Sequence, residues 1–214
     1  MRERPILFSG PMVRALLAGR KTQTRRVVKG EALRWLDEAG FEPAFVADPA
    51  NSLCPYGVAG DRLWVKETHA IVPRTAYAMS DGVQQTLKPG GDHDAAVYAA
   101  GWERSKPGRW RPSIHMPRWA SRLTLEITEV RVERLQDISE ADAIAEGPGF
   151  VGKVTGEVCE SVASHRLGGG PRWKNARDWY ADLWNHINGP DSWDANPWVW
   201  AVSFNVLRAK GSDQ

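Results

Sequence analysis

Two clusters of basic residues have the composition of a surface that binds phosphates. The first lies between Met1 and Lys29 and holds eight cations against the single acid Glu3, and the second, from Arg104 to Arg122, holds six cations and no acid. The stretch from Glu126 to Glu146 reverses the sign, with seven acids and two arginines. Segregated charge of this kind is typical of a basic face that meets nucleic acid, and solvated loops are the alternative explanation.

Tryptophan is unusually frequent, with 11 rings in 214 residues, and two of the rings lie inside the second basic cluster. Aromatic rings among cations can stack on bases while the cations hold the backbone. In the segment IHMPRW, residues 114–119, Arg118 and Trp119 could clamp a base, and His115 could donate a hydrogen bond to a phosphate or a base. A proline-fixed loop with Trp119 in the core is the alternative. Most other tryptophans, Trp64 included, are expected to pack in the core.

The sequence contains no pattern typical of a metal or cofactor site. Its five histidines show no paired spacing, and Cys54 and Cys159 lie far apart, so we expect isolated thiols, no metal and no cofactor. No apolar run approaches the roughly 20 residues of a membrane-spanning helix. We therefore expect a cytoplasmic protein without a membrane partner.

The elements that must position these residues follow from hydrophobic periodicity and from capping signals. Helices are predicted at Pro11–Ala18, Ser139–Gly147 and Asn175–Asn188, and strands at 21–28, 60–68, 121–135 and Trp198–Leu207. The alternation of the third strand slips at Glu129–Val130, which predicts a β-bulge. The helix near the C-terminus is expected to bury Ala176, Trp179, Leu183 and Ile187.

The remaining stretches are predicted to be loops or insertions within a single domain of residues 1–214. They are rich in glycine and proline and cover residues 30–56, 70–112 and 148–171. Strands dominate, helices lie between them, and no βαβ rhythm is present, which favours an α+β barrel over a doubly wound sheet.

The segment LLAGRKTQTRR, Leu16 to Arg26, resembles the (I/L)LxGxKTxTxR signature of the ASCH family. GDRLWV at 60–65 resembles the second strand of that family, and ISEADAIAEG at 138–147 lies where the family has its helix. The resemblance implies an α+β fold: a small PUA-like β-barrel with flanking helices and, in this chain, long loop insertions. The length is closer to that of the longer phage and prophage members than to that of the small bacterial enzymes.

The resemblance also implies a reaction and three residues. Small bacterial members of the family are amidohydrolases that remove the acetyl group from N4-acetylcytidine with a lysine, a threonine and a glutamate, which fall here on Lys21, Thr24 and Glu146. Amide hydrolysis requires a nucleophile, a base and a proton donor. Thr24 could be the nucleophile with Lys21 as its base, or Lys21 or Glu146 could activate a water that Thr24 positions.

Two physical conditions bear on this assignment. A free lysine titrates near 10.4, so a lysine base at neutral pH requires a pKa about 3 units lower. Burial and neighbouring arginines act in that direction, whereas an ionised Glu146 opposes them. Residues three apart in a regular strand also point to opposite faces, so Lys21 and Thr24 share a pocket only if the backbone turns between them.

Three functions follow as hypotheses: an amidohydrolase acting on N4-acylated cytidine, a non-catalytic RNA- or DNA-binding module such as a phage accessory protein, and a ribonuclease. Beyond the catalytic candidates, the residues expected to contact a modified nucleoside or nucleic acid are Arg20, Arg25, Arg26, Lys66, Glu67, His115, Arg118 and Trp119. Lys66 and Glu67 flank a predicted strand and could line the barrel mouth or form a surface ion pair. The oligomeric state is not predicted.

Overall fold

The computed structural model describes residues 1–91, 93–147 and 173–207, and these residues fold into helices and two β-sheets. The strands are β1 (Glu3–Leu7), β2 (Gln23–Val27), β3 (Arg62–Lys66), β4 (His69–Pro73), β5 (Thr86–Leu87), β6 (Asp94–Tyr98), β7 (Thr124–Arg134) and β8 (Trp198–Leu207). The helices longer than one turn are α1 (Gly10–Leu17), α2 (Glu31–Asp37), α3 (Pro43–Ala47), α4 (Glu140–Ala145) and α5 (Ala176–Asn188). The expected α+β class is therefore present.

The larger sheet has five strands in the order β1-β3-β7-β8-β2. β1 pairs with β3 in parallel, whereas the other neighbours are antiparallel. No pairing joins the outer strands β1 and β2 within the residues described, so the sheet is open there. The closed PUA-like barrel expected from the resemblance is not confirmed.

Alternating apolar residues bury one face of this sheet, as the periodicity predicts. Leu63, Val65, Leu125 and Ile127 lie in the core beside the rings of Trp200, Phe8 and Phe204. The register of β7 against β8 shifts between Ile127 and Glu129, next to the predicted bulge, so that Val132 returns to the buried side. The shift lets one long strand keep its apolar side chains inward along its whole length.

A second sheet occupies much of the stretch predicted to be a loop at 70–112. Its order is β4-β6-β5, and β6 reads DAAVY with alanines at its centre. On one face of β6, Ala95 and Val97 belong to one hydrophobic cluster, and on the other face Ala96 and Tyr98 belong to a second. Both faces of β6 are therefore buried. A strand buried on both faces by small residues shows no alternation, and alanine has low β-propensity, which is why the loop alternative was wrong here, whereas the insertion alternative stays a prediction.

The predicted loop at 30–56 is also partly wrong, because α2 and α3 lie within it. These short helices cover the core with Ala32, Leu36 and Val46. The third predicted loop, 148–171, lies outside the described residues. None of the helices in the described part of the chain is long and apolar enough to cross a membrane.

Helix α5 begins where its capping signal predicts, but it buries a different face. Asn175 accepts a hydrogen bond from the N–H of Asp178 at 2.7 Å. Ala176 and Trp179 are buried as expected, whereas the predicted Leu183 is only partly buried and Ile187 is 49% exposed. Their places in the core are taken by Tyr180 and Trp184.

Candidate active site

Helix α4 meets the segment before β2 at a position that only glycine tolerates. Ser139 caps the helix by accepting a hydrogen bond from the N–H of Asp142 at 3.1 Å, and Gly147 ends the helix with φ of +72°. A Cβ atom at position 147 would lie 2.6 Å from the Cα of Lys21 and 2.7 Å from the carbonyl oxygen of Arg20. Glycine therefore allows a close approach that no side chain permits.

Two hydrogen bonds hold the end of α4 against this segment. The N–H of Thr22 donates to the carbonyl of Ala145 at 2.9 Å, and the guanidinium of Arg20 donates to the carbonyl of Gly147 at 2.9 Å. Glu146 lies between these two contacts and projects toward Lys21. Lys21 and Glu146 are 125 residues apart in the sequence, and these backbone contacts bring them together in addition to the attraction of their charges.

Lys21 and Glu146 form a buried ion pair. Lys21 Nζ lies 2.7 Å from Glu146 Oε2, and it also donates to the carbonyl oxygens of Glu146 at 2.9 Å and Gln23 at 2.8 Å. All three ammonium hydrogens therefore have acceptors. Burial lowers the pKa of Lys21 below its ordinary value, and the carboxylate of Glu146 opposes that change.

Arg25 adds a second cation to the carboxylate and is itself surrounded by acids. Its Nη1 lies 3.3 Å from Glu146 Oε1, while its other nitrogens contact Glu133 at 2.7 Å and Asp142 at 3.2 Å. The side chain of Gln23 accepts a further hydrogen bond from Arg25 at 2.5 Å. Arg25 is buried, so it offers no exposed face to a phosphate. Its contacts make it a positioning residue for Glu146.

Helix α5 closes the other side of the carboxylate. The hydroxyl of Tyr180 donates to Glu146 Oε1 at 3.4 Å. Burial raises the pKa of Tyr180 well above its ordinary value, and the carboxylate of Glu146 adds to this effect, so the phenol remains a neutral donor. Glu146 Oε2 is thus held tightly by Lys21, whereas Oε1 has only the longer contacts to Arg25 and Tyr180.

A cavity of about 60 Å³ lies beside Glu146 between β2 and α5. Its lining includes Thr24, Arg25, Arg26, Glu146, Tyr180 and Trp184, but not Lys21. The indole N–H of Trp184 is buried without a hydrogen-bond partner among the described residues. A carboxylate beside space for water is suited to polar chemistry.

Of the three predicted catalytic residues, two line the cavity and the third does not. Glu146 and Thr24 both face the cavity, while Lys21 stands behind Glu146 and holds it. The condition that Lys21 and Thr24 share a pocket is not met, because Thr24 lines the cavity and Lys21 does not. Among the residues described, no group of three or more histidine, cysteine, aspartate or glutamate side chains is arranged to hold a metal ion.

A solved ASCH domain is similar to this chain in structure. It comes from Lactobacillus crispatus JV V101, and the two share 13% sequence identity with a TM-score of 0.38 over 97% of this chain and 80% of that chain. The sequence matches no protein-family model and no curated protein.

The remaining basic candidates lie on another surface, at β3 and the segment 113–120. Lys66 donates to the carbonyl of Ile114 at 2.6 Å, and its ammonium lies 5.5 Å from the ring centre of Trp64. The guanidinium of Arg118 lies 5.8 Å from the same ring and pairs with Glu3 at 3.0 Å. His115 is exposed next to Ile114. We call these residues the Trp64 surface; its aromatic ring was expected in the core.

Two other candidates, Trp119 and Glu67, lie neither at the Glu146 cavity nor on the Trp64 surface. Trp119 packs against the second sheet near Tyr98 and Met116, so it does not form a clamp with Arg118. Glu67 is buried and receives both arms of Arg122, each at 2.9 Å. Burial raises the pKa of Glu67, and the Arg122 guanidinium opposes that rise. Glu67 therefore forms neither a surface ion pair with Lys66 nor part of the cavity.

Sequence reasoning missed the residues that complete the cavity. Tyr180 and Trp184 lie on the face of α5 adjacent to the predicted apolar face, and neither Glu133 nor Asp142, which pair with Arg25, was among the predicted site residues. A signal was present in α5: large aromatic residues with one polar atom occur at positions 180 and 184, one helical turn apart. Such side chains often bury the ring and direct the polar atom to a partner.

Proposed function

We propose that the chain is an ASCH-type protein that handles RNA or modified nucleosides, and that it hydrolyses the N4-acyl amide of cytidine-type substrates. The observation that supports this proposal is the cavity-facing carboxylate of Glu146, held from behind by Lys21 and Arg25. A fixed carboxylate beside space for water is the minimum required of a general base in amide hydrolysis.

In the proposed reaction Glu146 takes a proton from a water molecule, which attacks the acyl carbonyl carbon. The carbon–nitrogen bond breaks, and the protonated carboxyl returns the proton to the leaving N4 amine, giving a carboxylic acid and the deacylated cytidine. Thr24 positions the water or the carbonyl group. The N–H of Trp184 is available to the oxygen on which negative charge develops.

The contacts of Lys21 favour this route over a threonine nucleophile with a lysine base. A base needs a free lone pair, but each Nζ hydrogen of Lys21 already donates to an acceptor, and Lys21 does not line the cavity. Its role in the proposal is to fix the orientation of the Glu146 carboxylate.

A second candidate function, nucleic-acid binding without turnover, is supported by the Trp64 surface. A half-exposed indole between the cations Lys66 and Arg118 is suited to stacking with a base beside a phosphate. The same surface is compatible with an enzyme that acts on a residue within RNA.

The test is to incubate the protein with N4-acetylcytidine and follow cytidine release by chromatography. We expect turnover in the wild type and a loss of about 10²–10⁴-fold in Glu146→Gln, the contribution typical of a general base. Glu129→Gln is the matched control, because it removes the same charge from an exposed glutamate paired only with Arg131.

Equal turnover in wild type and Glu146→Gln would contradict the assignment of the base. Absence of turnover, together with salt-dependent RNA binding that is lost in Arg118→Ala, would support the second candidate instead. Cleavage of RNA during the same incubation would identify a ribonuclease.

A further inference from the structure

A larger groove continues from the active-site cavity. It has a volume of about 450 Å³, and three residues, Arg26, Val27 and Asn188, line both spaces. The smaller cavity, at about 60 Å³, lies well below the roughly 300–1,000 Å³ of typical ligand sites, whereas the groove falls within that range. Only the reacting end of a substrate fits beside Glu146, so the rest of the molecule must lie in contiguous space.

The charges that line the groove are all positive. Arg26 and Lys29 are its charged residues, and no acidic side chain contributes to its lining. Lys29 is exposed and forms no ion pair with any described residue. Arg26 uses one guanidinium nitrogen to donate to the carbonyl of Leu7 at 2.8 Å and lies 5.4 Å from the ring centre of Phe8, and it pairs with none of the described acids.

The contacts of Arg26 differ from those of its neighbour in the chain, Arg25. Arg25 contacts three carboxylates and is buried, so its charge is balanced within the fold. Adjacent in β2, Arg26 is only partly buried and lines the groove together with Tyr56. The positive charge of Arg26 reaches the Tyr56 hydroxyl, since it lowers the pKa of that phenol against the larger opposite effect of burial.

We propose that this groove binds the phosphate attached to the substrate nucleoside, with Arg26 and Lys29 as its cationic ligands and Tyr56 beside them. The preferred substrate is then an N4-acylated cytidine nucleotide, either as a 5′-monophosphate or within a strand, rather than the free nucleoside. This inference rests on the proposed function for the orientation of the substrate. A groove lined by two cations without neutralising acids favours an anion, and the phosphate is the anionic group of a nucleotide.

The test compares kcat/KM for N4-acetylcytidine, its 5′-monophosphate and a short oligonucleotide that contains one acetylated cytidine. We expect at least a tenfold preference for the phosphorylated substrates, about what charge-assisted hydrogen bonds contribute. The ratio of nucleotide to nucleoside kcat/KM should fall in Lys29→Gln, with part of the preference retained by Arg26. Lys106→Gln is the matched control, since it removes an exposed lysine that lines neither space, and it should keep both the activity and the ratio.

Equal kcat/KM for all three substrates, or an unchanged preference in Lys29→Gln, would overturn the phosphate site. A preference for the monophosphate identifies a terminal phosphate as the ligand, and a preference for the oligonucleotide alone identifies the phosphodiester. Calorimetric titration with cytidine and cytidine 5′-monophosphate separates this inference from the reaction. Tighter binding of the monophosphate without turnover of any substrate would retain the groove and reject the hydrolase, and equal or absent binding of both would reject the groove.

Discussion

Replacement of Lys21 by methionine should show how strongly the buried pair supports the fold. Lys21 is 0% exposed, and its removal leaves Glu146 Oε2 without its shortest contact and leaves two carbonyl oxygens without a donor. Breaking a buried ion pair costs about 3–5 kcal/mol. Arg25 and Tyr180 still contact Glu146 Oε1 at 3.3 and 3.4 Å, so we expect a value near the lower end of that range.

Lys21 and Glu146 can also be replaced together. In the double variant Lys21→Met, Glu146→Leu no buried charge is stranded at this position, because Arg25 keeps Glu133 and Asp142. Replacing both members of a buried pair by apolar residues is often neutral. The double variant should therefore lose less stability than the sum of the single variants, with a coupling energy of up to about 3 kcal/mol.

The assay is urea unfolding at pH 7, followed by tryptophan fluorescence, for the wild type, both single variants and the double variant. Unchanged m-values would justify comparison of the four free energies of unfolding. If the two single effects simply add, the lysine and the glutamate do not interact, and the assignment of Lys21 as the support of the carboxylate is wrong.

The difference in the free energy of unfolding between wild type and Lys21→Met should also depend on pH, in a direction that the pKa of Lys21 sets. The pKa of Lys21 is lowered in the folded state, so the unfolded state binds more protons between the folded value and the unfolded value near 10.5. The stability linked to this group is present above the unfolded pKa and is lost as pH falls through the folded one. The stability advantage of wild type over Lys21→Met should therefore increase as pH rises toward 10.5, and a decrease would contradict the direction of the shift.

Three further predictions concern single residues. Gly147→Ala should lower the free energy of unfolding by more than about 2 kcal/mol, because its Cβ would lie 2.6 Å from the Lys21 backbone. Gly19→Ala is the comparison: φ is +68° there and nothing lies within 4 Å, so alanine should cost only the roughly 1–2 kcal/mol of the left-handed conformation. Urea unfolding measures both values. Burial raises the pKa of Tyr98 to about 12, so wild-type stability should fall as pH rises from about 10 to 12, by up to about 2.7 kcal/mol, and Tyr98→Phe should flatten that slope. Asn175→Ala should lower the thermal midpoint through the loss of about 1 kcal/mol of capping energy at α5, while Asn51→Ala, which removes a side-chain hydrogen bond to the Phe45 carbonyl but no helix cap, serves as its comparison.

The sequence was sufficient to predict the elements that carry strong local signals. Strand β8 has the predicted bounds, because large apolar residues recur at every second position from Trp200 to Val206, and the slip in the alternation of β7 lies next to the observed register shift. Helix α4 was predicted from its Ser139 cap and the glycine that ends it, and both features are present. Local chemistry of this kind does not depend on distant parts of the chain.

The parts that were not predicted depend on tertiary contacts. Strand β5 has two residues and β6 has alanines at its centre, so the second sheet exists only because its faces are covered by other side chains. The face of α5 was misjudged because two neighbouring stripes along the helix are both apolar. The choice between them depends on which stripe packs against the rest of the fold, and the sequence does not reveal that packing.

The position of Lys21 also changes which residue should be considered reactive. A lysine in a GxKTxT motif suggests a base by type, yet the close approach at Gly147 places its ammonium among three acceptors and behind the carboxylate. The cation therefore orients Glu146, and in the proposed reaction the weaker contacts of Oε1 leave that oxygen to act on water. Because α5 supplies Tyr180 and Trp184 to the same cavity, the lining of the proposed site comes from both the ASCH-like motif and a helix outside it. Substrate selection should therefore respond to changes in α5 even when Lys21, Thr24 and Glu146 are untouched.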